Sequence, residues 1–212
     1  MKNMLDALQW RYATKVFDAQ KKLTPEQIDL LFEAIRLSPS SFGLQPWRVV
    51  VIADTEMREK LRQAAYGQSQ ITDASHLIVF VVKNNLSEKD VDGFIALMAQ
   101  EQKTSLSELE KYAHTIKQSL IKRSEKENTE WAIRQAYIAL GVLLTVAAHE
   151  SIDVCPMEGF DATAFDEVLD LKEKNFTTCV IAPIGFRSEQ DKAAQLPKVR
   201  FSKEQFILKN LS

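Results

Sequence analysis

Two pairs of cations sit at opposite ends of this chain: Arg11 and Lys15 in "RYATK", and Lys198 and Arg200 in "LPKVR". A guanidinium grips a phosphate as a fork and an ammonium meets it as a point charge, so each pair has the makings of an anion site. Two uncharged patches lie between them. "SPSSFGLQPW", Ser38 to Trp47, sets small hydroxyl residues between two prolines and ends in a tryptophan. "CPMEGFD", Cys155 to Asp161, is a Pro/Gly turn ahead of a helix-capping aspartate. Taken singly, these patches are also what surface charges, a helix stop, a turn and a solvated face look like. Together they supply separated cations, a hydroxyl-rich loop of fixed shape and a bent backbone segment. That set suits a phosphorylated aromatic ligand.

Other chemistries are missing their parts. Neither phosphate-cradling glycine loop is present, and 6 glycines leave little to build one from. No G-x-S-x-G elbow occurs. His76, His114 and His149 are scattered and form no H-E-x-x-H, so they read as structural and no metal site is expected. Cys155 and Cys179 sit in apolar surroundings and read as buried thiols, not as a disulfide. With no protein nucleophile or acid–base dyad in view, an enzyme built on this chain would borrow its hard chemistry from a cofactor.

The elements that must position these patches are legible from pattern. Met4, Leu5 and Leu8 mark a short first helix. Thr24, Pro25 and Gln27 start a second, whose apolar face is Ile28, Leu31, Phe32 and Ile35, and Ser38-Pro39 ends it. Val49 to Ala53, Leu77 to Lys83 and Phe176 to Ile184 read as buried strands. Thr55 to Tyr66 is helical, and two further helical stretches follow between Ser87 and Leu120. "RSEKENTE", Arg123 to Glu130, reads as a solvated loop or helix end. Thr129 then caps a long central helix from about Trp131 to His149, apolar almost all round. Asp161 to Leu171 is a short capped helix. The tail from Gln195 carries Phe201, Phe206, Ile207 and Leu208, too apolar to be free coil.

The totals fit a single α+β domain. The chain has 212 residues, 45% apolar and 26% charged, with a formal net charge of −2. Near-neutral charge gives no general basic field for nucleic acid. Met1-Lys2-Asn3-Met4 leads straight into the first helix with no long apolar run, so no secretory signal is expected. Ala132 to Ala148 comes nearest to a membrane span but is broken by Arg134 and Gln135. The expectation is a cytoplasmic protein.

Five segments in order, "RYATKVFDAQKKLTPEQ", "LSPSSFGLQPWRVVVI", "DASHLIVF", "VCPMEGFD" and "LPKVRF", resemble the FMN-dependent nitroreductase family. The resemblance is closest to its oxygen-insensitive NAD(P)H nitroreductases, a branch that overlaps flavin and dihydropteridine reductases. It covers nearly the whole chain. It implies one domain over 1–212 with a central, mostly antiparallel sheet flanked by helices and a long buried central helix. It also implies a homodimer with FMN at the subunit interface and a C-terminal tail wrapping the partner. A variable helical segment, about 87–124, would cover the active site.

Residue by residue, the resemblance implies that Arg11, Lys198 and Arg200 hold the FMN phosphate, with Tyr12 and Ala13 along the ribityl chain. Lys15 would reach the polar edge of the ring. Pro156, Met157, Glu158 and Gly159 would pass beside it, with a backbone N–H near Glu158 at the hydride-accepting nitrogen. Lys15 and that backbone would give electrostatic support only, with no catalytic side chain. Either Gln68 or Gln70 would bond the pyrimidine edge, and Gln135 matches a flavin-proximal position. Pro39, Ser40 and Ser41 would come from the other subunit, with Phe42 at the substrate mouth. The implied activity is ping-pong transfer of two electrons from NAD(P)H to nitroaromatics, quinones or flavins. Two alternatives stand beside it: a physiological dihydropteridine or free-flavin reductase with incidental nitroreduction, and a flavin-binding protein without turnover.

Overall fold

Four strands form one antiparallel sheet in the order β1-β2-β4-β3: β1 Trp47–Ile52, β2 His76–Lys83, β3 Asp153–Val154 and β4 Phe176–Gly185. The computed structural model describes residues 3–208. The first two residues, read above as part of a start with no secretory signal, and the last four of the tail lie outside the described residues.

Strand periodicity divides the core in two. Ile78, Phe80 and Val82 of β2 point to one face with Val180, Ala182 and Ile184 of β4. There they meet α2 (Pro25–Arg36) and α7 (Glu125–His149), and the same core continues into α5 (Glu88–Gln102) and α6 (Leu106–Ile121). Leu77, Val79 and Val81 point the other way, onto Leu61 of α3 (Thr55–Ala64), Ile71 of α4 (Gln70–Asp73) and Phe165 of α8 (Ala162–Val168). Each fully buried Leu, Ile or Phe contributes about 1.5–3 kcal/mol, so the two-sided burial of β2 anchors the fold. Between Phe80 and Val81 the β2–β4 register shifts. Cys179 is the extra residue on β4, and the bulge turns it toward the α7 face.

Local signals set the helix ends. Thr24 Oγ1 accepts from the Gln27 N–H at 3.3 Å and Gln27 Oε1 accepts from the Thr24 N–H at 3.0 Å, so α2 begins with the expected capping box. α7 begins earlier than the sequence suggested. Its capping box is Ser124 with Glu127, and Thr129 lies inside the helix, where its hydroxyl donates to Asn84 O at 2.6 Å and to Glu125 O. The polar run 125–130 is therefore the first turns of α7, solvated except at the buried Asn128. α7 is also long and apolar enough to cross a membrane, contrary to the sequence reading. Half of its most apolar window is buried in the fold, as in a core helix. It is not buried all round, since Arg134, Ile138 and Gly141 face outward.

Other differences are smaller. β1 is an edge strand with Val51 37% exposed, so its continuous apolar run marks one-sided cover, not full burial. β3 and α4 are too short for a pattern to announce them. Cys155 and Cys179 are free thiols; Cys155 is buried as expected, whereas Cys179 is only half-buried. α1 (Met4–Trp10) packs on α7 through Ala7, leaving Met4, Leu5 and Leu8 outward. The tail, with α9 (Lys203–Phe206), leaves Val199, Phe201, Phe206 and Leu208 at 78% exposure or more.

Candidate functional site

The two ends of the chain meet. α1 stops at Trp10, and the ammonium of Lys198 donates to the carbonyl oxygen of Arg11. A cleft of about 450 Å³ opens there, lined among others by Trp10, Arg11, Tyr12, Leu196, Lys198 and Arg200. Burial first, and then the neighbouring Arg200, lowers the pKa of Arg11. Burial, Arg11 and Arg200 lower that of Lys198. Three cations thus repel one another, and none forms a salt bridge with a carboxylate among the described residues. Such a cluster is costly unless an anion enters it.

Two buried aspartates hold this end in shape. Asp191 Oδ2 accepts from the Tyr12 hydroxyl at 2.8 Å, the Lys15 N–H at 2.8 Å and the Val16 N–H at 3.0 Å. Its Oδ1 accepts from the Ala193 N–H at 3.0 Å. Burial acts to raise the Asp191 pKa, but these bonds outweigh it and hold the carboxyl below its ordinary value. Asp153 pairs with Arg187 at 2.7 Å and accepts from the Thr14 hydroxyl at 3.2 Å. The Arg187 guanidinium stacks on Trp10 at 4.0 Å and on Tyr12 at 4.5 Å. The phenol of Tyr12 is therefore committed to Asp191, leaving its backbone to face the cleft. Sequence reasoning missed Asp153, Arg187 and Asp191. Each looks like an ordinary loop charge, and the partners lie 34 to 179 residues away.

From the cleft the strand-like segment runs on to Lys15, at most about 14 Å from Arg11 in extended chain. Ala13 bridges Val154 in parallel, which lays this segment beside the Pro156–Gly159 turn. Lys15 is exposed, and its charge acts on Cys155, opposing the burial that raises that thiol's pKa. The turn leaves the sheet in steps: Cys155 N–H donates to Pro183 O at 3.0 Å, and Met157 exchanges two bonds with Ile181. The N–H groups of Glu158 and Gly159 then find no acceptor among the described residues. Gln68 Nε2 donates to Gly159 O at 2.7 Å and to Ala65 O at 3.0 Å. Gln68 is thus spent as a brace for the turn, while Gln70 opens α4 close by.

Glu158 is also held through its side chain. The Tyr137 hydroxyl on α7 donates to Glu158 Oε1. Burial and then this bond raise the Tyr137 pKa. Cys179 lies near enough to feel the Glu158 charge, and burial above all pushes its thiol up to about 12.

The Ser38–Trp47 loop is fixed from several sides. Phe42, Gly43 and Gln45 have left-handed φ of 60°, 72° and 44°. The hydroxyl of Ser40 accepts from the Gln45 N–H at 3.0 Å, and Gln45 Nε2 donates to Arg36 O at 2.7 Å. Gln135 Oε1 accepts from the Ser41 N–H at 2.9 Å, and its Nε2 donates to Trp131 O at 3.1 Å. Both polar groups of Gln135 are thus spent within the chain, so it positions the loop. The helices of 87–124 sit over this loop: Tyr112 donates to Phe42 O at 3.0 Å, and Phe94 approaches Gly43. Ser41 and Phe42 are therefore tied to Gln135 and α6, with Gly43 beside Phe94 of α5.

A four-stranded antiparallel sheet with helices on both faces is the fold of the nitroreductases. A nitroreductase-like protein from Streptococcus mutans superposes with a TM-score of 0.84 at 25% identity, over 96% of each chain. A protein from Exiguobacterium sibiricum solved in complex with FMN superposes with a TM-score of 0.82 at 19% identity, over 98% of this chain and 97% of that one. The chain belongs to the nitroreductase family, whose model matches residues 8–186. An oxygen-insensitive NAD(P)H nitroreductase of Salmonella typhimurium is 34% identical over 208 residues, 92% of this chain and 93% of the relative. The resemblance and the fold class drawn from the five sequence segments both hold.

Proposed function

We propose that this protein is an FMN-dependent NAD(P)H oxidoreductase of the cytoplasm, acting as a homodimer with the cofactor held between subunits. One observation carries the reading: Arg11, Lys198 and Arg200 converge from distant parts of the chain with no acid to neutralise them among the described residues. A phosphate supplies the missing charge. The FMN named with the E. sibiricum structure and the NAD(P)H named with the S. typhimurium relative give that phosphate its chemical context.

Bound there, FMN would supply two-electron chemistry, taking a hydride from NAD(P)H and passing electrons to a nitroaromatic, quinone or flavin acceptor. The residues do the rest. Arg11, Lys198 and Arg200 take the phosphate, and the backbone of Tyr12 and Ala13 lines the way to the ring. Lys15 places a positive charge at the ring's polar edge, where it favours the electron-rich state. The free amides of Glu158 and Gly159 offer donors beside Pro156 and Met157, and Gln70 offers the remaining amide. Pro39, Ser40, Ser41 and Phe42 would serve the site of the second copy. One shared pocket makes donor and acceptor take turns, a ping-pong order.

The test is a visible spectrum of the purified protein before and after anaerobic NADH. A yellow protein that NADH bleaches and a nitroaromatic or quinone restores supports the reading. A colourless protein that takes up no FMN overturns it.

A further inference from the structure

The Glu158 side chain has a partner that the cofactor reading does not require. The residue's backbone N–H and that of Gly159 are free donors, while its carboxylate receives the Tyr137 hydroxyl. The Glu158 donor and the carboxylate belong to one residue, so any ligand bound by that amide lies within a side chain's length of a fixed negative charge. Glu158 is exposed, and an unanchored carboxylate there would sample rotamers in water and be screened. Tyr137 prevents this. It projects from α7, the most deeply packed helix, and its ring packs against the core on that face of the sheet. Cys179, turned to the same face by the β-bulge, is a second titratable group close by, and burial raises its pKa.

We infer that Tyr137 is a positioning residue that pins the Glu158 carboxylate beside the cofactor's electron-accepting region and thereby lowers the cofactor's midpoint potential. The inference rests on the FMN reading above and deepens it. A fixed negative charge disfavours added electrons, just as the positive charge of Lys15 favours them. A lower potential makes the loaded protein a stronger donor to its acceptor.

The experiment uses the FMN-loaded protein and reads the midpoint potential by anaerobic dye-linked titration. The variants are Tyr137→Phe, Glu158→Gln and the double variant, with FMN affinity and thermal unfolding measured alongside. Glu158→Gln should raise the potential. Tyr137→Phe should raise it less, because the freed carboxylate keeps a screened charge. In the double variant the Tyr137→Phe shift should vanish, because Tyr137 acts through the carboxylate. A Tyr137→Phe potential that falls or stays put overturns the inference, as does a shift that adds in full to that of Glu158→Gln. A merely structural role would weaken FMN binding or lower the unfolding temperature and leave the potential where it was, which also overturns it. A wild-type protein that takes up no FMN overturns the underlying reading, a result distinct from any of these.

Discussion

Gln135 and Tyr137 stand two residues apart on α7 and face different sides of it. Gln135 holds the Ser41 N–H while Tyr137 holds Glu158. Two residues turn a helix by about 200°, so one chain's opening loop and its Pro156–Gly159 turn are tied to nearly opposite sides of one rod. A second copy that presents its loop to the first copy's turn would bring the two together.

The exposed tail bears on that assembly. Phe201 is 79% exposed and Phe206 78% exposed, more than a lone chain leaves open without reason. Replacing both with Glu should yield a monomer in sedimentation velocity that retains little FMN. A variant that remains dimeric and yellow would remove the tail from the interface.

The cation cleft predicts opposite signs with and without ligand. Arg200→Ala should weaken FMN binding by at least about tenfold, the worth of a charge-assisted hydrogen bond of about 1.5–3 kcal/mol. The FMN-free protein should unfold at the same temperature or a higher one, because Arg11 and Lys198 are relieved of the repulsion from Arg200. Fluorescence titration with FMN and thermal melts of the free protein check both halves.

Asp191 should shape the acid limb of stability. Its folded pKa lies below the ordinary 3.8, so its contribution is fully present above that value and is lost as pH falls through the folded pKa. Asp191→Asn should melt lower than wild type at neutral pH and show a shallower fall in melting temperature below pH 3.8. Equal slopes for the two proteins would show that the carboxylate carries no such linkage.

Two glycines should behave differently. A Cβ on Gly185 would stand 2.9 Å from the Ser75 backbone nitrogen and 3.2 Å from the Phe17 ring, so Gly185→Ala should cost about 1–3 kcal/mol in chemical denaturation. A Cβ on Gly159 meets only Gln68 Nε2, at 3.6 Å. Gly159→Ala should change stability by less than about 0.5 kcal/mol while raising the Kd for FMN. Unchanged FMN affinity would place the turn away from the ligand.

Lys15→Ala should lower the midpoint potential and slow reduction by NADH on the order of tenfold, the loss of one charge-assisted contact. Stopped-flow reduction at saturating FMN reads the rate. An unchanged rate and potential would remove Lys15 from the ring edge.

What the sequence made legible was local. Thr24 with Gln27, and Pro25 between them, are a helix start within four residues, and β2 carries an unbroken β-branched and aromatic run from Ile78 to Val82. The start of α7 escaped because Thr129 and Ser124 are both plausible caps, and the contact that decides against Thr129 is its bond to Asn84, 45 residues away. The Asp153–Arg187 and Asp191–Tyr12 ties escaped for the same reason. The left-handed turns at Phe42 and Gln45 carry no sequence mark at all, since neither residue favours that conformation. That Gln68 braces the turn could not be read from the sequence, because its partner, the carbonyl of Gly159, lies 91 residues away.

The bond from Lys198 to the Arg11 carbonyl joins positions 187 residues apart. Loop-closure entropy makes so distant a contact costly to form alone, so the cleft assembles only on a sheet that has already paired.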